Sequence, residues 1–267
     1  MFGTIKSGMS TSMFEISVIS NNIANSSTTA FRKSNTSFSD LYSGASPETV
    51  SRLSKGVGSL VEGATQSTEH GGLLKREGVL NLALIGKGMF VSAAPGADGV
   101  PSQALTFSRD GEFALDKDGI LRTSTNDFVL GYDGVGGVDL KTLSVPYESN
   151  DGAQLTALEI NAEGKILGTY GGEPVKLLGQ IAIGSFPNEK ALRQLGMSRF
   201  QSTDEAGTLI LGVGGQEGFA MIQAGAVETS NVDLTVELTN MIRAQQQFSG
   251  SSRILQTYSD MIEKLTR

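Results

Sequence analysis

The chain has no cysteine and no tryptophan, one histidine, and little charge for its length, with 18% of its 267 residues Asp, Glu, Lys or Arg. Without cysteine there are no disulfides, no thiolate nucleophiles and no thiolate-ligated metals. That fits a cell exterior where function is independent of redox state, and a cytosolic protein can also lack cysteine. The lone His70 adjoins Glu69 but has no second ligand of fitting type close in sequence, so it reads as an ordinary surface histidine. The net charge is −7 and no long basic run occurs, which excludes a nucleic-acid partner, because phosphate binding needs clustered Lys and Arg. No apolar stretch is long enough for a membrane-spanning helix, so no membrane insertion is expected. Met1–Phe31 is broken by polar residues where a signal peptide would be continuously apolar, so export by a cleaved secretory signal is not expected either.

Glycine, by contrast, is abundant, with 34 residues. A composition rich in glycine and turns suits many short strands better than a helical bundle. The two ends are different. Phe2, Met9, Ile16 and Ile23 repeat every seven positions, and Ile5, Ser12 and Ile19 lie three residues after the first three of them. That is a heptad seam. Leu234, Met241, Phe248, Leu255 and Ile262 repeat the period at the other end, with Leu238, Tyr258 and Leu265 widening the stripe. Two such helices are expected to pair with each other or with copies of themselves. The first should run from Phe2 to about Asn25 and stop where Asn25–Thr29 offers competing side-chain hydrogen bonds. Asn21, Asn22 and Asn25 then read as helix-end caps or as a fixed junction between stem and insert. Asn231 or Asp233 should cap the last helix, and Gly250 inside it should cost ~1 kcal/mol relative to alanine.

Between the helices the pattern is extended. Ser46-Pro47-Glu48 starts a short helix or belongs to a surface arm, and Gly56–Val61 opens an extended segment. Leu80, Leu82 and Leu84 alternate as in a half-buried strand. Asp110-Gly111 and Asp118-Gly119 each stand between strand-like runs and predict hairpins. A turn at Ala162-Glu163-Gly164 joins two more strands, and Val175–Phe186 is another, with Leu178, Ile181 and Ile183 inward. Pro187–Lys190 predicts a short helix through Leu192 and Leu195. Gly207–Gly218 reads as loop or extended chain.

No catalytic set emerges. A Ser–His–Asp arrangement would have to use His70, and no serine stands in a nucleophile elbow. Gly86-Lys87-Gly88 has no following GKS/T signature and reads as a tight turn, not a phosphate loop. Asp116–Gly119 lacks the later ligands of a calcium loop. Catalytic, cofactor and metal sites are therefore all expected to be absent. The fold expected is α+β: N- and C-terminal helices paired as a coiled-coil-like stem, with a β-rich middle domain of antiparallel hairpins. The layout is residues 1–33 for the first stem helix, 34–73 for a partly extended arm, 74–220 for the β domain, and 221–267 for the C-terminal motif and second stem helix.

Two longer motifs sharpen this. Ser20-Asn21-Asn22-Ile23-Ala24-Asn25, followed by Thr28 or Thr29 and Phe31-Arg32-Lys33, resembles the N-terminal motif of the bacterial flagellar rod and hook family. Gly225–Leu234 and Glu237–Gln245 are similar to its C-terminal motif. Ala30 stands where that family usually has glycine, and Gln247-Phe248 replaces the usual Arg-Tyr. The resemblance implies a non-enzymatic subunit of a helical tube that transmits torque from motor to hook. Its helical termini would form the inner layer and its β domain the outer one. It also implies the partners: copies of itself, neighbouring rod and hook subunits, and the flagellar export apparatus, with no small-molecule substrate. The location implied is the flagellar basal body outside the cytoplasm, periplasmic where the envelope has two membranes. The expected assembly interface combines the seam residues Phe2, Ile5, Met9, Ile16, Ile19, Ile23, Leu234, Leu238, Met241, Phe248, Leu255, Tyr258, Ile262 and Leu265 with the motif residues Asn22, Asn25, Phe31, Ser230, Asn231 and Val232. Length favours a rod subunit over a hook subunit, which usually carries a further domain. The short segment after Tyr42 leans toward the proximal rod, whereas Ser37–Tyr42 is more hook-like. The alternative of another class is a secreted binding module, a β domain on a coiled-coil stem.

Overall fold

The computed structural model describes residues 2–43, 55–96, 100–134, 139–149, 152–172 and 174–266. The helix start expected at Ser46-Pro47-Glu48 lies outside them. The chain divides into two compact units. One comprises Met1–Ser27, Arg32–Glu69 and Asn231–Arg267, and the other Thr28–Phe31 and His70–Ser230.

The first unit holds both helices, α1 (Phe2–Ala24) and α2 (Leu234–Thr266), and a two-stranded antiparallel ribbon of β1 (Ser34–Ser43) and β2 (Lys55–Gln66). α1 ends where expected, just before Asn25, whose side-chain amide donates to the Asn21 carbonyl at 2.9 Å, sharing that acceptor with the Asn25 backbone N–H at 3.2 Å. α2 begins at an N-cap: Asp233 Oδ1 accepts from the backbone N–H of Thr235 at 2.9 Å and of Val236 at 3.2 Å. Glu237 in its first turn and Lys264 in its last complement the helix dipole. Much of the expected arm is thus a register-paired ribbon, with Phe38 opposite Val61 and Ser34 opposite Gln66.

Among the described residues, the regular structure of the second unit is β apart from two single 3-10 turns, Glu189–Ala191 and Asp204–Ala206. Its strands are β3 (Leu73–Lys75), β4 (Leu82–Ile85), β5 (Met89–Pro95), β6 (Pro101–Ser108), β7 (Phe113–Leu115), β8 (Leu121–Thr123), β9 (Phe128–Tyr132) and β10 (Leu140–Thr142). They continue with β11 (Leu155–Ile160), β12 (Lys165–Tyr170), β13 (Lys176–Ser185), β14 (Arg193–Gly196), β15 (Arg199–Gln201), β16 (Ile210–Val213), β17 (Met221–Ala224) and β18 (Ala226–Glu228). Among the described residues, twelve of these form one sheet whose main path runs β11-β12-β13-β9-β5-β6-β15-β14. The two strands that end this path each carry a register irregularity, at Leu155/Ala157 in β11 and at Gln194/Gly196 in β14. Successive residues of the central strands alternate between two buried clusters. Phe90, Val129, Ile181 and Ile183 join one, while Met89, Val91, Leu130 and Ala182 join the other. Strands covered on both faces read as continuous apolar runs, which is why Phe128–Tyr132 is buried at every position. Edge-to-face ring pairs lie in each cluster, Phe90 with Phe113 at 5.0 Å and Phe107 with Phe186 at 4.7 Å.

Three expectations need correction. Asp110-Gly111 is not a hairpin turn, since β6 pairs with β5 and β15 while β7 pairs with β8. The chain crosses there beside β4, and Leu82 N–H donates to the Gly111 carbonyl at 2.9 Å. A Cβ on Gly111 would lie 1.8 Å from the Leu82 carbonyl oxygen, so glycine is required by close approach rather than by a turn. The Pro187–Leu195 helix is a single 3-10 turn, Glu189–Ala191, because the chain re-enters the sheet as β14. Residues 221–228, grouped with the stem in the sequence reading, pair instead within the β unit, β17 with β4 and β18 with β3. The Asp118-Gly119 hairpin, by contrast, joins β7 to β8, with Gly119 at φ 73°. The turn at Gly164 joins β11 to β12.

Candidate assembly interface

In the first unit α1 and α2 lie antiparallel. Asn22 Nδ2 donates to Glu237 Oε2 at 3.2 Å near one end, and a Cβ on Gly8 would sit 3.9 Å from Ser251 Oγ farther along. α1 also rests on the ribbon. Thr11 Oγ1 and Ser59 Oγ are 3.5 Å apart, and Ser7 Oγ accepts from Ser59 N–H at 3.4 Å. α1 therefore has two contact stripes, and small or polar residues fill much of both. Its buried positions are Thr11, Ser12, Ile19 and Asn22, while those of α2 are Glu237 and Ala244. Small side chains let backbones approach closely, whereas bulky ones would hold them apart.

The large apolar residues of the predicted seam are mostly not at its centre. Ile19 and Asn22 are buried. Ile5, Met9, Ile16, Ile23, Asn25, Asn231, Val232, Met241, Phe248, Leu255 and Tyr258 are half-buried. Phe2, Leu234, Leu238, Ile262 and Leu265 are exposed, together with Met13, Val236, Ile242, Ile254 and Met261, which the sequence reading did not single out. The most buried positions of α2 are Glu237 and Ala244, outside the expected stripe; Ser251 and the expected Tyr258, half-buried, continue them seven apart. Small and polar residues at heptad spacing were the signal that apolar periodicity overlooked. What remains is a paired stem that leaves two apolar stripes of α2 in water, Leu234–Leu238–Ile242 and Ile254–Met261–Leu265.

Two motif asparagines lock this unit. Asn22 accepts from Ser34 N–H and donates to the Ser34 carbonyl, both at 2.9 Å, pinning the start of β1 to the end of α1. Asn231 Oδ1 accepts from Lys33 N–H at 2.7 Å and its Nδ2 donates to the Glu69 carbonyl at 2.9 Å, so it is a bridge and Asp233 is the cap.

Phe31 and Ser230 belong to the second unit and are half-buried there. That unit holds a pair that no spacing pattern foreshadows. Arg109 Nε donates to Glu228 Oε2 at 2.6 Å, with both side chains almost wholly buried. The guanidinium also donates to the carbonyls of Leu84, Gly86 and Gly88 at 2.8–3.0 Å, fixing the Gly86-Lys87-Gly88 turn. Nearby, burial pushes the Asp110 carboxyl above its usual range, partly offset by hydrogen bonds from the Ser124 hydroxyl and the Glu112 N–H. Ala30 sits in left-handed backbone at φ 54°, the conformation its glycine-like position demands. Among the described residues no group of three or more acidic or histidine side chains is placed to hold a metal, and no helix is long and apolar enough to cross a membrane.

Residues 4–32 match the family model described as flagella basal body rod protein, and residues 223–267 match the one described as flagellar basal body rod FlgEFG protein C-terminal. The chain is similar to the flagellar basal-body rod protein FlgG of Buchnera aphidicola subsp. Acyrthosiphon pisum, with 30% identity over 98% of this chain and 96% of that one. It is also similar to the flagellar hook protein FlgE of Escherichia coli, with 35% identity over 42% of this chain and 28% of the hook protein. Among solved structures, the Helicobacter pylori hook protein FlgE2 aligns over 74% of this chain and 43% of its own, with 14% identity and a TM-score of 0.26.

Proposed function

The chain belongs to the flagellar basal-body rod and hook protein family, and we propose from that premise how this structural rod subunit assembles. It polymerises head to tail through its terminal helices into a tube that passes torque from motor to hook. The observation that carries this reading is the stem itself. α1 and α2 pair through small and polar side chains and leave apolar stripes of α2 in water. Exposed apolar surface of this kind marks an interaction site. In an open helical assembly each stripe meets a different surface on the next copy, which a closed dimer would not provide.

Partners of the subunit are copies of itself and the neighbouring axial proteins of the flagellum. The export apparatus is its route out of the cytoplasm, and it works in the periplasmic span where the envelope has two membranes. It carries no catalysis, cofactor or metal in this role. A rod rather than a hook position is favoured by length, since the match to the hook protein takes in 28% of that protein. Several relatives that match from end to end are FlgG proteins of the distal rod, which favours a distal position here too. The sequence-based lean toward the proximal rod rested on the segment after Tyr42, much of which, residues 44–54, lies outside the described residues.

Deleting residues 234–267 tests the reading. In cells lacking the native subunit, the truncated chain should be exported yet leave basal bodies without a complete rod by electron microscopy, and cells without motility. Normal rods built from the truncated chain would refute assembly through the helices.

A further inference from the structure

We infer that Glu228 is a clasp that ties together the three passages by which the polypeptide leaves the β unit. Those passages are Thr28–Phe31, the start at His70, and the end at Ser230. Each meets Glu228 or is part of it. The Glu228 carbonyl accepts from Ala30 N–H at 2.9 Å. Its Oε1 accepts from Gly71 N–H at 3.1 Å, and its own main chain continues directly to Ser230. The remaining carboxylate oxygen is held by Arg109 at 2.6 Å, and Arg109 in turn grips three carbonyls of the sheet. One residue, through its carbonyl and its carboxylate together, thus collects three chain segments far apart in sequence and anchors them to one point of the β unit.

The surroundings are built to keep it there. A Cβ on Gly71 would fall 1.8 Å from the Thr229 carbonyl oxygen, so the passages at His70 and Ser230 touch backbone to backbone. Thr229 N–H and Oγ1 both donate to the Gly72 carbonyl, at 2.8 and 3.0 Å. On the remaining passage, Thr29 Oγ1 donates to Glu112 and the Thr29 carbonyl accepts from Ser198 Oγ. A buried carboxylate with its partner removed leaves an uncompensated charge, so the clasp opens as a whole or not at all. For a subunit that must pass twist between its parts, three passages fixed to one anchor move as one piece. Glu228 is then a positioning residue for torque transmission. That last step rests on the rod reading above, whereas the clasp itself does not.

Native-state hydrogen exchange on the full-length isolated subunit tests the clasp and is blind to whether rods form. In the unmodified chain, the amides of Ala30 and Gly71 should exchange within about twofold of each other and with the same urea dependence, as one opening unit does. Glu228→Gln keeps the shape but puts a neutral amide opposite Arg109 Nε. It should speed exchange at both amides by about tenfold or more while amides in β5, β9 and β13 stay within about twofold. A tenfold difference between Ala30 and Gly71 in the unmodified chain would overturn the proposal. So would a variant that leaves both amides unchanged, or one that speeds the whole sheet equally, which is the behaviour of an ordinary core residue. Where the variant does not fold, the unmodified chain decides alone.

Discussion

Replacing Leu234, Leu238 and Ile242 together by glutamine separates assembly from folding. These residues remain 46%, 44% and 55% exposed beside the α1–α2 seam. Full burial of a Leu or Ile side chain is worth ~1.5–3 kcal/mol. With about half of each still in water, each has ~0.7–1.5 kcal/mol left to gain when the next subunit covers it. The three together should contribute ~2–4.5 kcal/mol per added subunit, or about 30- to 2,000-fold in the assembly equilibrium. Glutamine matches leucine in helix propensity and exceeds isoleucine, so α2 is not weakened locally. The free subunit should lose no more than ~1 kcal/mol, the scale of surface substitutions. Urea unfolding followed by circular dichroism measures the second quantity. Sedimentation of concentrated subunit, with basal bodies counted by electron microscopy in complemented cells, measures the first. Unchanged assembly would refute the reasoning, and so would a loss of several kcal/mol in the isolated subunit, because the residues would then already be packed inside it.

Three further outcomes follow from backbone and charge. Ala30→Gly relieves ~1–2 kcal/mol of left-handed strain but gives up a buried methyl worth ~0.8 kcal/mol and adds unfolded-state freedom. Its urea midpoint should therefore scarcely move, while Ala30→Val, β-branched at φ 54°, should lose more than ~2 kcal/mol. Two glycine-to-alanine changes should have opposite signs in the same assay. Gly250→Ala should add ~1 kcal/mol, since a Cβ there meets nothing within 4 Å in a helix interior, while Gly111→Ala, aimed at the Leu82 carbonyl, should cost at least ~2 kcal/mol. Burial raises the Asp110 pKa on folding, so its contribution favours the fold below the unfolded value of 3.8 and is lost as pH rises through the raised one. Asp110→Asn, which can keep the contacts to Glu112 and Ser124, should thus gain more over the unmodified chain at pH 7 than at pH 3 by urea midpoint.

The helices were legible because their ends carry local chemistry: Asn25 and Asp233 act within a few residues of themselves. The hairpins at Gly119 and Gly164 were legible for the same reason. Gly111 misled because Asp-Gly looks alike whether the need is a tight turn or clearance beside another strand, and only the fold places Leu82 there. Apolar periodicity identified both stem helices but not the stripe used between them. α1 has two neighbours, the ribbon and α2, and meets both largely through Ser7, Thr11, Ser12 and Asn22. Hydrophobic residues at heptad spacing were therefore read as the seam when several of them flank it. Arg109 and Glu228 were out of reach altogether, since their partnership spans 119 positions and neither has a spacing signature.

The irregular strands at the two ends of the large sheet have a further consequence. Identical subunits concentrated at a growing tip present identical open ladders, and flat ladders join without regard to orientation. Kinks at Leu155/Ala157 and Gln194/Gly196 spoil the register that such joining needs. Copies crowded side by side therefore meet at edges whose hydrogen-bonding rhythm is broken, which disfavours strand-to-strand joining between them.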